Sequence, residues 1–150
     1  MLIPGPALSR RRIIGRALGL VAALQLRPAA ATPESMAAAI RSFTGGAPLR
    51  EGKVQLEVAT LVDNGNTVPV TLSVPGAPAG EVAAIALFNE RNPQSDVARF
   101  DFGPRAGART VSTRIRLATS QQLVAVARLA DGSCWSQRVE VVVTLAACIE

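Results

Sequence analysis

An all-β sandwich with one short N-terminal helix is predicted by three features of this chain. From Lys53 onward, short valine-rich apolar runs are broken at intervals by turn residues, the pattern of a sandwich. Within the last of these runs apolar residues alternate: Leu123, Ala125, Ala127 and Leu129 on one face, then Val139, Val141, Val143 and Leu145. Ahead of them, Met36, Ile40 and Phe43 recur at spacings of four and three, which places them in one stripe of a helix.

The helix start is legible in Thr32-Pro33-Glu34, a hydroxyl N-cap, a proline at the first helical position and an acid where the dipole favours it. Gly45-Gly46 ends it. A helix of about ten residues is not stable alone in water, so it is expected to cover an edge or end of a sheet. Strands are predicted at about 53 to 60, 67 to 75, 82 to 89, 97 to 102, 110 to 117, 121 to 130 and 134 to 145. Seven strands fit an immunoglobulin-like topology. Between them, Asp63-Asn64-Gly65-Asn66 tolerates positive φ in a tight turn, Pro75-Gly76 through Gly80 forms a loop, and Asn92-Pro93, Gly103-Pro104 and Asp131-Gly132 end or reverse the chain. Strand 121 to 130 also carries Val124 and Val126 on its second face, as a central strand does. Trp135 beyond the next turn is expected to anchor in the core or against a partner. Val142, on the otherwise mixed face of the last strand, is expected to mark a protein contact or to be an isolated exposed side chain.

The 150 residues allow one domain. Sixteen lysines and arginines against eleven acids would ordinarily point to nucleic acid or an anionic membrane. Five of the arginines (Arg10, Arg11, Arg12, Arg16 and Arg27) precede the first acid, Glu34, however, and sixteen less those five leaves eleven basic against eleven acidic groups. Ser9-Arg10-Arg11-Arg12-Ile13-Ile14 sets paired arginines before an apolar stretch, the arrangement of a twin-arginine leader, which exports folded proteins to the periplasm. Ala17 to Leu26 is too short for a membrane span, which needs roughly 20 apolar residues, and Pro28-Ala29-Ala30-Ala31 supplies a signal-peptidase site. The expected organisation is a leader over 1–31, a β-sandwich over 32–144 and a C-terminal arm over 145–150, with no nucleic acid bound and no stable membrane anchor.

The chain has no histidine and no tyrosine. No imidazole is present to act as a base beside a nucleophile or to ligate a metal, so no catalytic residue, metal site or cofactor is predicted. Glu90, Asp96 and Asp101 are a carboxylate group in sequence, more simply read as a solvated face.

Two cysteines remain. If the last strand is a strand, Cys134 and Cys148 lie about 45 Å apart at roughly 3.3 Å per residue, whereas a disulfide needs Cα atoms within about 7 Å. Cys134 reads as a small buried hydrophobe. Cys148 falls in Leu145-Ala146-Ala147-Cys148-Ile149-Glu150, where no core remains to be filled, so its thiol is expected to be exposed. Glu150 opposes thiolate formation there, and activation would come from a partner enzyme, as suits a carrier rather than a catalyst.

Several short segments together resemble the SoxY family of sulfur-oxidation carrier proteins over nearly the whole chain. They are Thr44-Gly45-Gly46, Asp63-Asn64-Gly65-Asn66 with Val68-Pro69-Val70, Phe88-Asn89-Glu90-Arg91-Asn92-Pro93, Thr113-Arg114-Ile115-Arg116-Leu117-Ala118, Asp131-Gly132-Ser133 and Val141-Val142-Val143-Thr144-Leu145, with the twin-arginine leader and the terminal cysteine. The resemblance implies an immunoglobulin-like sandwich, a heterodimer with a second β-sandwich subunit, SoxZ, and an arm whose cysteine, here Cys148, holds sulfur intermediates for periplasmic sulfur-oxidising enzymes. The family arm ends Gly-Gly-Cys-Gly-Gly, whereas this chain has Ala146-Ala147-Cys148-Ile149-Glu150 and resembles a SoxY-related branch with that ending. Glycine gives a narrow, flexible arm; Ala, Ile and Glu are bulkier and stiffer. The alternative function is a non-catalytic scaffold subunit whose cysteine is vestigial or joins two chains.

Overall fold

A computed structural model describes residues 31–107 and 109–147. The predicted leader, apart from its last residue Ala31, and Cys148 lie outside these residues. The described chain runs as a helix α1 (Pro33–Thr44) followed by nine strands: β1 (Leu49–Glu51), β2 (Gln55–Glu57), β3 (Leu61–Asn64), β4 (Val68–Ser73), β5 (Val82–Asn89), β6 (Asp96–Asp101), β7 (Thr110–Ile115), β8 (Gln121–Leu129) and β9 (Cys134–Leu145).

Two open sheets face each other. The larger has the order β1-β9-β8-β5-β6, with β3 also pairing with β9; the smaller has the order β2-β4-β7. Alternation supplies the layer between them. Val68, Val70 and Leu72 of β4 meet Ile85 and Leu87 of β5 and Leu123, Ala125 and Ala127 of β8 in one buried cluster, completed by Leu56, Leu117 and Val141. The predicted central strand is β8, paired with β5 on one side and β9 on the other.

The second face of β5 and β8 explains the helix. Ala84, Ala86, Phe88, Val124 and Val126 point away from the sandwich core and are covered by Met36, Ile40 and Phe43. Thus α1 covers the face of the larger sheet rather than the expected edge or end, because two neighbouring strands are apolar on both sides. Its cap is a reciprocal pair. Ser35 N–H donates to Thr32 Oγ1 at 3.2 Å, and Thr32 N–H donates to Ser35 Oγ at 2.8 Å. Gly45, at φ 64°, turns the chain out of the helix. Phe43 packs edge-on to Phe88 with centroids 5.8 Å apart, under the guanidinium groups of Arg99 and Arg128 at 5.4 and 5.2 Å.

The region predicted as one strand over 53 to 60 is divided differently. Gly52 at φ 100° and Lys53 at φ 54° bend the backbone between β1 and β2, so this segment alternates between sheets. β1 lies parallel to the start of β9, β2 crosses to pair with β4, and β3 returns parallel to the end of β9. Only β2 falls inside the predicted span. Replacing Phe43 with alanine is expected to lower stability by about 3–5 kcal/mol, the usual cost of emptying a buried aromatic site. Urea unfolding followed by Trp135 fluorescence measures it as a lower midpoint at unchanged m-value.

Candidate functional site

The arm leaves the domain at the far end of β9, where this strand outruns its antiparallel partner. Pairing with β8 stops at Val141, opposite Gln121. The next four residues are held instead by β3, with Leu61 opposite Val142, Val62 opposite Val143 and Asn64 opposite Leu145. Ser120 Oγ accepts Val143 N–H at 2.8 Å, and Thr144 Oγ1 donates to Asp63 O at 3.0 Å. The overhang is thereby bonded on both sides.

Past Leu145 the backbone enters a three-segment clamp. Gly65 N–H donates to Leu145 O at 2.8 Å, Leu117 N–H donates to Gly65 O at 2.8 Å, and Ala147 N–H donates to Leu117 O at 3.0 Å. Ala147 is only 9% exposed. The anchored chain therefore extends through Ala147, two residues farther than the predicted start of the arm. Cys148 is the next residue in the chain and lies outside the described residues.

Gly65 is indispensable for a reason the sequence did not announce. It is not among the positive-φ residues, so the predicted left-handed turn is corrected here. A Cβ at this position would collide with the carbonyl oxygen of Leu117 and stand 3.0 Å from Ala147 N and 3.1 Å from Val143 Cγ1. Close approach of three backbones, rather than dihedral freedom, requires glycine. Leu117, predicted as the last residue of a strand, lies beyond β7 with its backbone turned into the clamp and its side chain fully buried in the core.

Cys134 occupies the opposite end of β9. It is a free thiol with no solvent exposure, 3.8 Å from Gly132 O, and burial pushes its pKa up, with Asp131 adding to the rise and Arg128 opposing it. The twelve residues of β9 put about 36 Å between Cys134 and Leu145 at roughly 3.3 Å per residue. Cys148 follows Ala147, whose amide is fixed beside Leu145 through the clamp. That separation of the two ends of β9 is several times the roughly 7 Å between Cα atoms that a disulfide allows.

The carboxylates of Glu90, Asp96 and Asp101 are not brought together. Asp96 and Asp101 stand at opposite ends of β6, with Asp96 opposite Phe88 and Asp101 opposite Ala84. Glu90 Oε1 accepts Gln122 N–H at 3.2 Å, and Asp101 accepts two bonds of 2.8 Å from Arg99, which hold its carboxyl below the usual range. Among the described residues no group of three His, Cys, Asp or Glu side chains is placed to hold a metal. Trp135 is half-buried under Lys53 at 4.7 Å and Arg50 at 5.6 Å, at the end of the sandwich away from the arm.

Leu61, Val142 and Leu145 are 62, 52 and 60% exposed, and Leu61 is the register partner of Val142. Leu61 and Val142, paired across the ladder, form an exposed apolar surface suited to another protein, while Leu145 lies on the Val141 and Val143 face of β9. Val142 was singled out in the sequence; Leu61 could not be paired with it until the parallel β3–β9 ladder was known.

Gly65→Ala is expected to destabilise the domain by about 1–3 kcal/mol, as overpacking does, and to raise hydrogen exchange at the Ala147 amide more than in β8. A thiol reagent added to the native protein is expected to modify Cys148 and to reach Cys134 only after denaturant is added, as read by peptide mass mapping.

The sequence model of the family described as sulfur oxidation protein SoxY matches residues 40–148. Among solved structures, the sulfur carrier protein SoxY from Chlorobium limicola f thiosulfatophilum is 29% identical, with a TM-score of 0.62 over 73% of this chain and 91% of that one. A superoxide reductase (neelaredoxin) from Ignicoccus hospitalis, 22% identical, has a TM-score of 0.55 over 61% of this chain and 80% of its own. A putative superoxide reductase from Thermotoga maritima, 16% identical, has a TM-score of 0.53 over 67% and 89%. The last two share the fold alone. No curated protein sequence matches.

Proposed function

The chain belongs to the SoxY family of sulfur-oxidation proteins, and from that premise we propose that it is a periplasmic carrier holding sulfur intermediates covalently on Cys148 while partner enzymes act on them. The observation that carries this reading is the clamp at Ala147. A fold that anchors its backbone up to the residue before a cysteine, and leaves its other cysteine buried about 36 Å back along the same strand, separates one thiol for outside chemistry. The family match, which runs to residue 148, supports the same residue.

The chemistry needs little from the chain itself. A thiolate attacks the terminal sulfur of a polysulfide, one S–S bond forms as another breaks, and the shortened polysulfide leaves with the negative charge, giving a persulfide. Joining thiosulfate to the thiolate as a thiosulfonate instead releases two electrons, which a partner enzyme with an electron acceptor has to remove. The chain has no histidine to take the proton from the thiol. Activation is therefore assigned to the partner.

Export follows from the paired arginines Arg10-Arg11-Arg12 ahead of the apolar run, with removal of the leader after Ala31. A SoxZ-like β-sandwich is proposed as the second subunit of a heterodimer, docking where Leu61 and Val142 are exposed side by side. The bulkier Ala146-Ala147-Cys148-Ile149-Glu150 ending sets this arm apart from a glycine-rich one and implies client enzymes with wider channels, or ones that recognise its acidic end.

Intact-mass measurement on protein isolated from the periplasm is expected to show additions of sulfur atoms or a sulfonate that reductant removes and that Cys148→Ser abolishes, at unchanged thermal stability. Unmodified chain alone, or a disulfide-linked dimer alone, would sink the carrier reading in favour of a scaffold subunit. Leu61→Asp combined with Val142→Asp is expected to weaken pairing with the SoxZ-like subunit at least tenfold without unfolding the domain, since neither side chain is in the core. Titration calorimetry of the purified subunits measures it.

A further inference from the structure

Three of the segments that carry the family resemblance, around Gly65, Asn92 and Leu117, are far apart in sequence and meet at one place. Asn92 is in the turn between β5 and β6, yet its side chain serves a different loop. Its Nδ2 donates to Arg116 O at 2.8 Å, while its Oδ1 accepts from Ala118 N–H at 3.0 Å and from Gln121 Nε2 at 2.8 Å. One planar amide thus grips the backbone on both sides of Leu117.

The peptide groups of Leu117 are left facing the other way, with N–H bonded to Gly65 O and C=O accepting Ala147 N–H. No strand pairing holds residues 116–118, since β7 ends at Ile115. Asn92 is itself fixed from behind. Its N–H donates to Oδ1 of the fully buried Asn89 at 2.9 Å, whose Nδ2 donates to Gln94 O at 2.9 Å, and Gln121 Oε1 accepts Arg91 N–H at 3.0 Å.

We propose that Asn92 is a positioning residue for Cys148: by holding the backbone on both sides of Leu117 it aims the carbonyl that fixes Ala147, and so sets where and in which direction the chain leaves the domain. Only an amide meets the requirement at this length. Aspartate has no donor for Arg116 O and would set a negative charge against it, and alanine leaves Ala118 N–H and Arg116 O without this partner. The functional weight of this inference rests on Cys148 being the attachment residue; the geometry does not.

The test uses the mature chain in complex with its partner subunit, with a nitroxide on Cys148 and amide exchange followed residue by residue. In Asn92→Ala and Asn92→Asp the Ala147 amide is expected to exchange about tenfold faster or more, while those of Ala125 and Val126 in β8 change less than about twofold, and the nitroxide spectrum is expected to sharpen. Acceleration at Ala147 no greater than at Ala125, or an unchanged nitroxide spectrum, would overturn the proposal, since a merely structural role loosens the whole sheet alike. Should both variants fail to fold, Ala147→Pro removes the final N–H of the relay and sets its ring against Leu117 O, so that the bond cannot form; a sharpened spectrum supports the proposal and an unchanged one refutes it. Intact mass of the unsubstituted protein separates the two ideas. An arm that responds to Asn92 on a chain that never carries sulfur would leave positioning standing and remove the carrier reading.

Discussion

β9 is four residues longer than the antiparallel ladder that supports it, and the end of the molecule is organised around that mismatch. Val142 to Leu145 would otherwise present unbonded peptide groups on the side where β8 has ended. Ser120 supplies partners on that side, and β3 bonds the opposite edge. Because β3 enters parallel rather than antiparallel, it has to come from a distant part of the chain, and the excursion through β1 and β2 brings it there. The consequence is three short strands over 49–64, of which only β2 falls within the single strand expected over 53 to 60.

The two thiols are divided by the same strand. At its start the chain is enclosed, and desolvation keeps Cys134 protonated and out of contact with solvent. Past its end Ala147 is fastened through its amide hydrogen to Leu117 O, with no side chain beyond a methyl group. A buried thiol with a raised pKa is a poor nucleophile, so Cys134 is shielded from reagents in solution. The carboxylates offer no competing centre, since Asp101 is committed to Arg99 and Glu90 to the backbone of Gln122.

Much of the fold was legible because it follows from alternation and capping. β5 and β9 occupy the predicted spans, the helix begins at the predicted proline, and the doubly apolar β8 is central. The position of α1 was missed because its partners, Ala84, Ala86, Val124 and Val126, lie on strands whose second face could be assigned only once they were seen as neighbours. The expectation for Cys148 rested on its standing apart from any apolar pattern, whereas the anchoring of the chain through Ala147 was invisible. Gly65 read as a turn glycine, Asn92 as a chain breaker and Leu117 as a strand end. Each reading uses only local sequence, and the clamp is made of contacts between residues tens of positions apart.

That separation has a further meaning. The bond from Thr144 to Asp63 spans 81 residues, and the ladder beneath it closes a loop that contains most of the sandwich. Closing so large a loop for a four-residue ladder carries an entropic cost that so few bonds cannot offset until β4, β5 and β8 have already brought the ends together. The terminus thus acquires its direction only in a finished molecule. An immature polypeptide carries the same residues through Ala147 without the direction that the clamp gives them.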